Sequence, residues 1–135
     1  MAKIYNAGSA AVRRIAGEKS KDILVAIHFT NPEKTSNIKG LADKLNSNSV
    51  DYDVFATSWY PYWHGTTANL TAVLKYVADT YDKQVMVAET SWAYTTEDGD
   101  GSTNNIGDTV NYEKRYPFTV QGQSREVRDV VEAVA

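Results

Sequence analysis

The chain has 135 residues, of which 42% are hydrophobic and 11% aromatic, and this composition predicts one globular domain with a buried core. The absence of cysteine excludes a disulfide framework and a thiolate metal site. The net charge is −3, the lysines and arginines are dispersed, and no apolar run approaches about 20 residues, so we expect no nucleic-acid partner and no membrane partner.

The first predicted element is a helix, and Met1 to Lys3 leads directly into it without the apolar segment of a signal peptide. Gly17 is its predicted end. The helical spacing is that of Ile4, Ala7, Ala11 and Ile15. Residues 23–29 come next and form an apolar run, which is typical of a strand covered on both faces.

Polar residues follow this first strand. Pro32 bars continuation of the sheet, so residues 30–33 are predicted to form a loop at the end of the strand. Asn31 is interpreted either as a turn former before Pro32 or as a residue that binds ligand hydroxyl groups. We interpret His28 as a hydrogen-bonded core imidazole, because no serine or cysteine partner for nucleophilic catalysis stands beside it in the sequence.

A second amphipathic helix ends in the turn residues 46–49, and a strand over residues 54–60 follows it, closed by Pro61. The helix is indicated by Ile38, Leu41, Ala42 and Leu45. The end of the strand carries the ring side chains of Trp59, Tyr60, Tyr62, Trp63 and His64. A flat ring packs against the apolar face of a pyranose, so this cluster predicts a sugar-binding platform. The alternative is a wedge of rings that covers the rim of the fold.

The third helix has the clearest pattern and begins at an N-cap, either Thr66 or Thr67. Its apolar residues are Leu70, Val73, Leu74, Val77, Ala78 and Tyr81. It leads to the strand on which the rest of the chain is organised, where four apolar residues run into Glu89 and then into Thr90, Ser91 and Trp92. Helix and strand have then alternated three times, which predicts a parallel α/β sheet.

Glu89 is the candidate catalytic residue. Ligands bind at the carboxyl ends of parallel strands, so a glutamate that ends such a strand is expected in a functional site. By alternation Ser58 and Tyr60 lie on one side of their strand, and we expect the Tyr60 hydroxyl to bond to the Glu89 carboxylate and keep it ionised. The alternative is a glutamate that has simply reached solvent.

Residues 93–118 show little periodicity and are predicted to form a long loop. Oxygen-bearing side chains recur there at every second residue, as in calcium loops: Asp98, Asp100, Ser102 and Asn104. The loop is not an EF-hand, because Thr103 stands where that motif requires glycine and Val110 where it requires glutamate. A solvated acidic loop is the alternative, and we prefer it for this chain.

The last predicted element is a helix over residues 121–135. Its apolar face is formed by Val127, Val130, Val131 and Val134. Its wet face is formed by Arg125, Glu126, Arg128 and Asp129.

Four segments of the chain together resemble glycoside hydrolase family 53, the arabinogalactan endo-β-1,4-galactanases, and they occur in that family's order. They are TNPE at 30–33, VDYDVF at 50–55, YPYWHG at 60–65 and VAETS at 87–91. The resemblance covers nearly the whole chain, and its last three segments together are specific. It implies a (β/α)8 barrel enzyme that hydrolyses β-1,4-galactan with retention and uses Glu89 as its nucleophile.

The resemblance also bears on ligands. We expect galactan oligosaccharides to contact Asn31, Tyr60, Tyr62, Trp63, His64, Ser91 and Trp92. No cofactor is required, although some bacterial members of the family hold a structural calcium ion in the loop that corresponds to residues 98–104. This sequence has Ser102 where those members tend to have histidine.

A complete barrel of this type needs about 250 residues, so we expect residues 1–135 to be a single partial catalytic domain, roughly strands five to seven with flanking helices. The second catalytic glutamate of the family ends the fourth strand, before this chain begins. The chain alone is therefore expected to be inactive, and its parent is expected to be a secreted bacterial enzyme.

Three strands taken from a barrel have two open edges, which predicts a homodimer or larger oligomer. Its interface is expected to include Ala56, Ser58, Val85 and Val87. Two other functions remain open: a non-catalytic carbohydrate-binding module, and an unrelated small doubly wound α/β domain. The absence of a glycine-rich phosphate loop after a strand argues against the latter.

Overall fold

A computed structural model describes residues 1–102 and 115–135, in which helices and strands alternate. The elements are α1 (Ala2–Glu18), β1 (Ala26–Phe29), α2 (Thr35–Ser47), β2 (Val54–Ser58), α3 (Thr67–Tyr81), β3 (Gln84–Glu89) and α4 (Val120–Val134). The strands form a parallel sheet in the order β1-β2-β3. Each strand lies beside the next one along the chain, as in a barrel, whereas the strand order of a doubly wound sheet reverses at a switch point.

The main core lies between the sheet and α2, α3 and α4. Phe55 of β2 is fully buried at its centre, and the helices cover it with Ile38, Leu70, Val73, Val77 and Val130. The apolar spacing predicted for α2 and α3 is confirmed. Thr66 is the N-cap of α3, since its side chain accepts a hydrogen bond from the Asn69 N–H.

The prediction for the open face of the sheet is wrong at two positions. Val85 and Val87 pack against the main core, because they pair in register beside Phe55 and Thr57 and alternate with Met86. Ala56 and Ser58 lie on the opposite face, but they are only 1% and 4% exposed within one chain. Ala56 and Ser58 are thus buried and Val85 and Val87 partly buried, and their part in an interface with a second copy stays a prediction.

The first strand is shorter and less covered than the sequence predicts. It begins at Ala26, and Ile23 and Leu24 before it are exposed. Pairing with the second strand starts at Val25, whose carbonyl oxygen accepts from the N–H groups of Asp53 and Val54. Only Ile27 of this strand is buried, because the strand has a neighbour on one side only among the described residues.

α1 is held by polar contacts, and its predicted apolar face is wrong. Ile4 and Ile15 are 75% and 40% exposed, while the helix turns Ser9 and Arg13 toward residues 49–53. Ser9 Oγ donates to the Asp51 carbonyl oxygen at 2.7 Å, and the Arg13 guanidinium pairs with the carboxylates of Asp51 and Asp53. The Arg13 guanidinium and the Val25 N–H hold the pKa of Asp53 below its usual value.

α4 departs from its prediction in the same way. Val127 and Val131 are 49% and 62% exposed, whereas Glu126, predicted on the wet face, is fully buried. The first turn of the helix approaches the preceding chain so closely that a Cβ at Gly122 would lie 1.9 Å from the Pro117 carbonyl oxygen. This docking turns the polar face of α4 toward the segment that follows β3. No helix within residues 1–102 and 115–135 is long and apolar enough to cross a membrane.

Candidate active site

Glu89 ends β3, and an irregularity in the strand pairing sets the direction of its side chain. Thr57 pairs with Val87, but Ser58 pairs with Glu89, so β3 holds one extra residue at this point. Such a bulge re-aims the residue that follows it and is common beside active sites. The Trp59 N–H donates to the Glu89 carbonyl oxygen at 2.8 Å and fixes the backbone there.

The Glu89 carboxylate accepts two hydrogen bonds at one oxygen. Ser58 Oγ donates to Oε2 at 2.9 Å, and the Tyr60 hydroxyl donates to the same atom at 3.0 Å, which confirms the predicted Tyr60 contact. These bonds, first Ser58 and then Tyr60, lower the pKa of Glu89. The side chain remains 52% exposed, so the carboxylate is ionised and open to a ligand.

His28 joins this group: its imidazole is hydrogen-bonded as predicted, but with 38% of its side chain exposed it is not part of the core. Its Nε2 lies 2.8 Å from Ser58 Oγ, and its Nδ1 lies 3.9 Å from Glu89 Oε1. A serine hydroxyl has a single hydrogen, and Ser58 donates it to Glu89, so the His28 Nε2–H must donate to Ser58. The serine partner was not evident in the sequence because it stands on the next strand, 30 residues away.

The ring cluster divides into buried and exposed members. Tyr62 and Trp92 stack at 4.5 Å between centroids, and Trp92 stacks on Phe118 at 4.9 Å. Tyr62, His64 and Trp92 are all at most 5% exposed, so they offer little surface for a sugar to stack on, and their predicted contacts with a ligand stay predictions. Tyr62 and Trp92 brace the loops after the strands, since the Tyr62 hydroxyl accepts from the Ala93 N–H and Trp92 Nε1 donates to the Pro117 carbonyl oxygen.

Trp63 and Tyr60 are the members of the ring cluster that keep accessible surface. Trp63 is 43% exposed, and its ring meets that of Tyr60 edge-on at 5.7 Å. His64 holds the backbone of Tyr60 in place, because its Nδ1 accepts a hydrogen bond from the Tyr60 N–H at 3.1 Å. Burial lowers the pKa of His64, so this imidazole is neutral.

Asn31 and Ser91 lie at the same end of the sheet. Asn31 has a left-handed backbone, with φ at 63°, and its side chain donates to Glu33 Oε1 at 3.3 Å. These features fit the interpretation of Asn31 as a turn-forming residue before Pro32. Ser91 is exposed and lies two residues after the end of β3. Contacts of both residues with a ligand stay predictions.

The predicted calcium loop lies partly outside the described residues, since Asn104, Thr103 and Val110 fall there. Asp98 Oδ1 accepts from the N–H groups of Asp100 and Gly101, and Asp100 Oδ1 accepts from the Ser102 N–H. Within the described ranges no group of three or more His, Asp or Glu side chains is arranged to hold a metal ion. Calcium takes six to eight oxygen ligands, so Asp98, Asp100 and Ser102 are too few to hold it alone.

Known proteins share both the sequence and the fold. The endo-β-1,4-galactanase of Bacillus subtilis (strain 168) is 56% identical over 138 residues, which cover 100% of this chain and 30% of that protein. The family 53 catalytic domain of Ignisphaera aggregans superimposes with a TM-score of 0.76 at 35% identity, over 82% of this chain and 31% of that one. A structure from two fungal β-1,4-galactanases gives a TM-score of 0.64 at 20% identity, over 82% and 33%, and shows the shared fold.

The chain spans about a third of the length of the curated relatives it matches. The prediction of a partial (β/α)8 barrel is confirmed, and the alternative of an unrelated doubly wound domain is wrong. The sequence pattern of glycosyl hydrolase family 53 matches residues 1–135 throughout. With Glu89 at the end of a barrel strand and this match over its whole length, the chain belongs to glycosyl hydrolase family 53.

Proposed function

We propose that this chain supplies the nucleophile, Glu89, to a longer protein that hydrolyses β-1,4-galactan with retention of configuration. The observation that carries the proposal is the pair of hydrogen bonds from Ser58 and Tyr60, which keep the carboxylate ionised at the carboxyl end of β3. The substrate class is supported by the Bacillus subtilis relative, which is named an endo-β-1,4-galactanase.

The hydrogen bonds also indicate which oxygen attacks. Oε2 of Glu89 is occupied by two donors, whereas Oε1 has no hydrogen bond from the described residues. Oε1 therefore forms the bond to the anomeric carbon as the glycosidic bond breaks, and a carboxylic acid about 5.5 Å away protonates the leaving oxygen. Water then hydrolyses the glycosyl ester, with that second carboxyl group as the general base.

The acid in this scheme lies elsewhere in the longer protein. Of the carboxyl groups that the structure describes near the strand ends, Glu33 is bonded to Asn31, and Glu126 is fully buried against Thr90. We therefore expect this chain alone not to hydrolyse galactan, while the longer protein does so and loses activity with Glu89→Gln. Turnover by the isolated chain that vanished in the Glu89→Gln variant would contradict this division of roles.

Galactan binding by the chain is measurable through tryptophan fluorescence. The sequence has three tryptophans, and Trp59 and Trp92 are 1% and 4% exposed, so a change on addition of β-1,4-galactotetraose reports on Trp63. A Trp63→Phe variant should lose the change, whereas Trp92→Phe should retain it. Cellotetraose, which differs from galactotetraose only in the configuration at C4 of each sugar, is the matched control.

The exposed Trp63 beside Tyr60 also favours the second candidate, a carbohydrate-binding module without catalysis. The two candidates differ at Glu89, which is a reacting group in one and a bystander in the other. Galactotetraose binding that is unchanged by Glu89→Ala, together with full activity of the longer protein carrying Glu89→Gln, would favour the binding module.

Self-association is the remaining proposal about partners. In the described sheet β1 and β3 each have one strand neighbour, so each presents a row of backbone N–H and C=O groups to one side. Met86, which is 39% exposed, takes the place of Val85 and Val87 on the open face. We expect a homodimer paired through these edges, and a stable monomer in sedimentation at micromolar concentration would contradict it.

Two further properties concern the longer protein. A polymeric galactan does not cross a membrane, so the enzyme is proposed to be secreted. The loop at 98–102 supplies part of a calcium site, and we propose that the remaining oxygen ligands come from the rest of the longer protein. Calcium should therefore raise the unfolding temperature of the longer protein and leave that of this chain unchanged.

A further inference from the structure

α4 presents polar side chains to the segment that follows Glu89. Gln123 Nε2 donates to the Trp92 carbonyl oxygen at 2.7 Å, and Glu126 Oε1 accepts from the Thr90 hydroxyl at 2.5 Å. Gln123 and Glu126 are three residues apart and so lie on one face of the helix, one turn apart. We call these two residues the clamp.

The Glu126 carboxyl group is unusual because it is fully buried. Its Oε2 has no hydrogen-bond partner among the described residues, and a charge on that atom would be costly. Burial accordingly raises the pKa of Glu126, and the hydrogen bond from Thr90 opposes this only in part. The neighbouring Asp129 also disfavours a second charge.

Asp129, the charged group that influences Glu126 from the same helix, is already paired. The Asp129 carboxylate accepts from the Tyr116 hydroxyl at 2.8 Å and lies 3.5 Å from the Arg115 guanidinium. Tyr62, from the loop after β2, lies close enough to Glu126 that a charge on Glu126 would raise the pKa of the Tyr62 hydroxyl. Neither Asp129 nor Tyr62 has a hydrogen bond to Glu126, so Thr90 is the described hydrogen-bond partner of this carboxyl group.

We propose that Gln123 and Glu126 are positioning residues, which hold residues 90–92 so that the preceding Glu89 carboxylate stays within reach of Ser58 and Tyr60. The proposal rests on the proposed function only for what Glu89 does chemically. Its structural content concerns the two short bonds to Glu89 Oε2, since a displacement of about 0.5 Å is enough to spoil such a geometry.

The clamp acts beyond the last residue of β3, where backbone pairing with β2 has ended. In the segment from Thr90 to Trp92 the described side-chain bonds to α4 are those of Glu126 and Gln123, and Trp92 also bonds to Pro117 ahead of the same helix. The position of the carboxylate is thereby tied to the docking of α4. A helix that shifts would carry Thr90 and the end of the strand with it.

The test measures the titration of the Glu89 carboxyl group by ¹³C NMR in this chain. The variants are Gln123→Ala, Thr90→Val, Glu126→Ala and Glu126→Gln, with Glu132→Gln as the control that makes the same substitution at an exposed site on the same helix. Circular dichroism establishes that each variant is folded. Gln123 is only half-buried and Thr90→Val is isosteric, so these two variants test the proposal even where Glu126→Ala does not fold.

We expect Gln123→Ala, Thr90→Val and Glu126→Ala to raise the titration midpoint of Glu89 toward that of an ordinary glutamate. Glu126→Gln, which is neutral and of the same shape, should leave it in place, as should Glu132→Gln. An unchanged midpoint in folded Gln123→Ala and Thr90→Val overturns the proposal. Because no substrate is used, this result is independent of whether Glu89 proves to be the nucleophile in assays of the longer protein.

Discussion

Ser58 donates its only hydroxyl hydrogen to Glu89 across the pairing of β2 with β3, and the bulge in β3 brings the two side chains to the same side. The bond is the largest contribution to the lowered pKa of Glu89. A general consequence is that the charge of Glu89 depends on a neighbouring strand, and therefore on the integrity of the sheet.

The first prediction concerns that charge. Ser58→Ala should raise the pKa of Glu89 more than Tyr60→Phe does, because the Ser58 bond is the larger cause of its lowering. Carboxyl ¹³C titration of the two variants measures the order. A larger effect of Tyr60→Phe would show that the phenol, and not the serine, controls the carboxylate.

The second prediction concerns the histidine tautomers. His28 Nε2–H donates to Ser58, and His64 Nδ1 accepts from the Tyr60 N–H, so both neutral imidazoles should carry their hydrogen on Nε2. The chain has two histidines, so ¹⁵N spectra at alkaline pH resolve them readily. Ser58→Ala should alter the His28 signals and leave those of His64 unchanged; an Nδ1–H form of His28 in the wild type would disprove the assignment.

The third prediction concerns the pH dependence of stability at Glu126. Its folded pKa lies above the unfolded value, so its contribution to stability is fully present below the unfolded pKa and is lost as pH rises through the folded pKa. Glu126→Gln removes this loss, and we expect it to be more stable than the wild type at alkaline pH by about 1–3 kcal/mol. Urea unfolding at a series of pH values measures the difference, and Glu132→Gln is the exposed control. Parallel pH profiles for the wild type and Glu126→Gln would contradict the prediction.

The fourth prediction compares two glycines. Gly122→Ala places a Cβ 1.9 Å from the Pro117 carbonyl oxygen, so α4 must shift, at a cost of about 1–3 kcal/mol. Gly8→Ala, in the interior of α1 with nothing within 4 Å, should stabilise the chain by about 0.5–1 kcal/mol. Thermal unfolding of both variants checks the opposite signs, and a destabilised Gly8→Ala together with a neutral Gly122→Ala would contradict the packing described here.

Local pattern was enough to predict the elements and the position of Glu89, because helical spacing and apolar runs are set by neighbouring residues. Alternation along β2 also predicted the contact between Tyr60 and Glu89. The pairing of His28 with Ser58 was not predictable in this way, since it depends on the register between two strands. Register also decides which side of the sheet receives Val85 and Met86, and a single bulge changes it.

The buried residues of α1 and α4 show a second limit. Ser9 and Glu126 are buried because their polar atoms find partners in distant segments, and hydropathy alone assigns such residues to the surface. Rings raise the same difficulty, because Tyr62 and Trp63 are neighbours in the sequence but differ entirely in exposure. An aromatic cluster in the sequence predicts where a ligand platform lies, and packing decides which ring stays exposed to solvent.

The ion pairs of Arg13 lie at the amino ends of the strands, opposite to Glu89. Sites at that end of a barrel concern stability, whereas sites at the carboxyl ends concern chemistry. Substitutions around Asp51 and Asp53 should therefore alter how long the protein survives heat and leave what it binds unaltered. The end of the sheet with Asp51 and Asp53 is therefore suited to surface attachment or a fused tag. A molecule immobilised there would keep the opposite end, with Trp63, exposed to the solution.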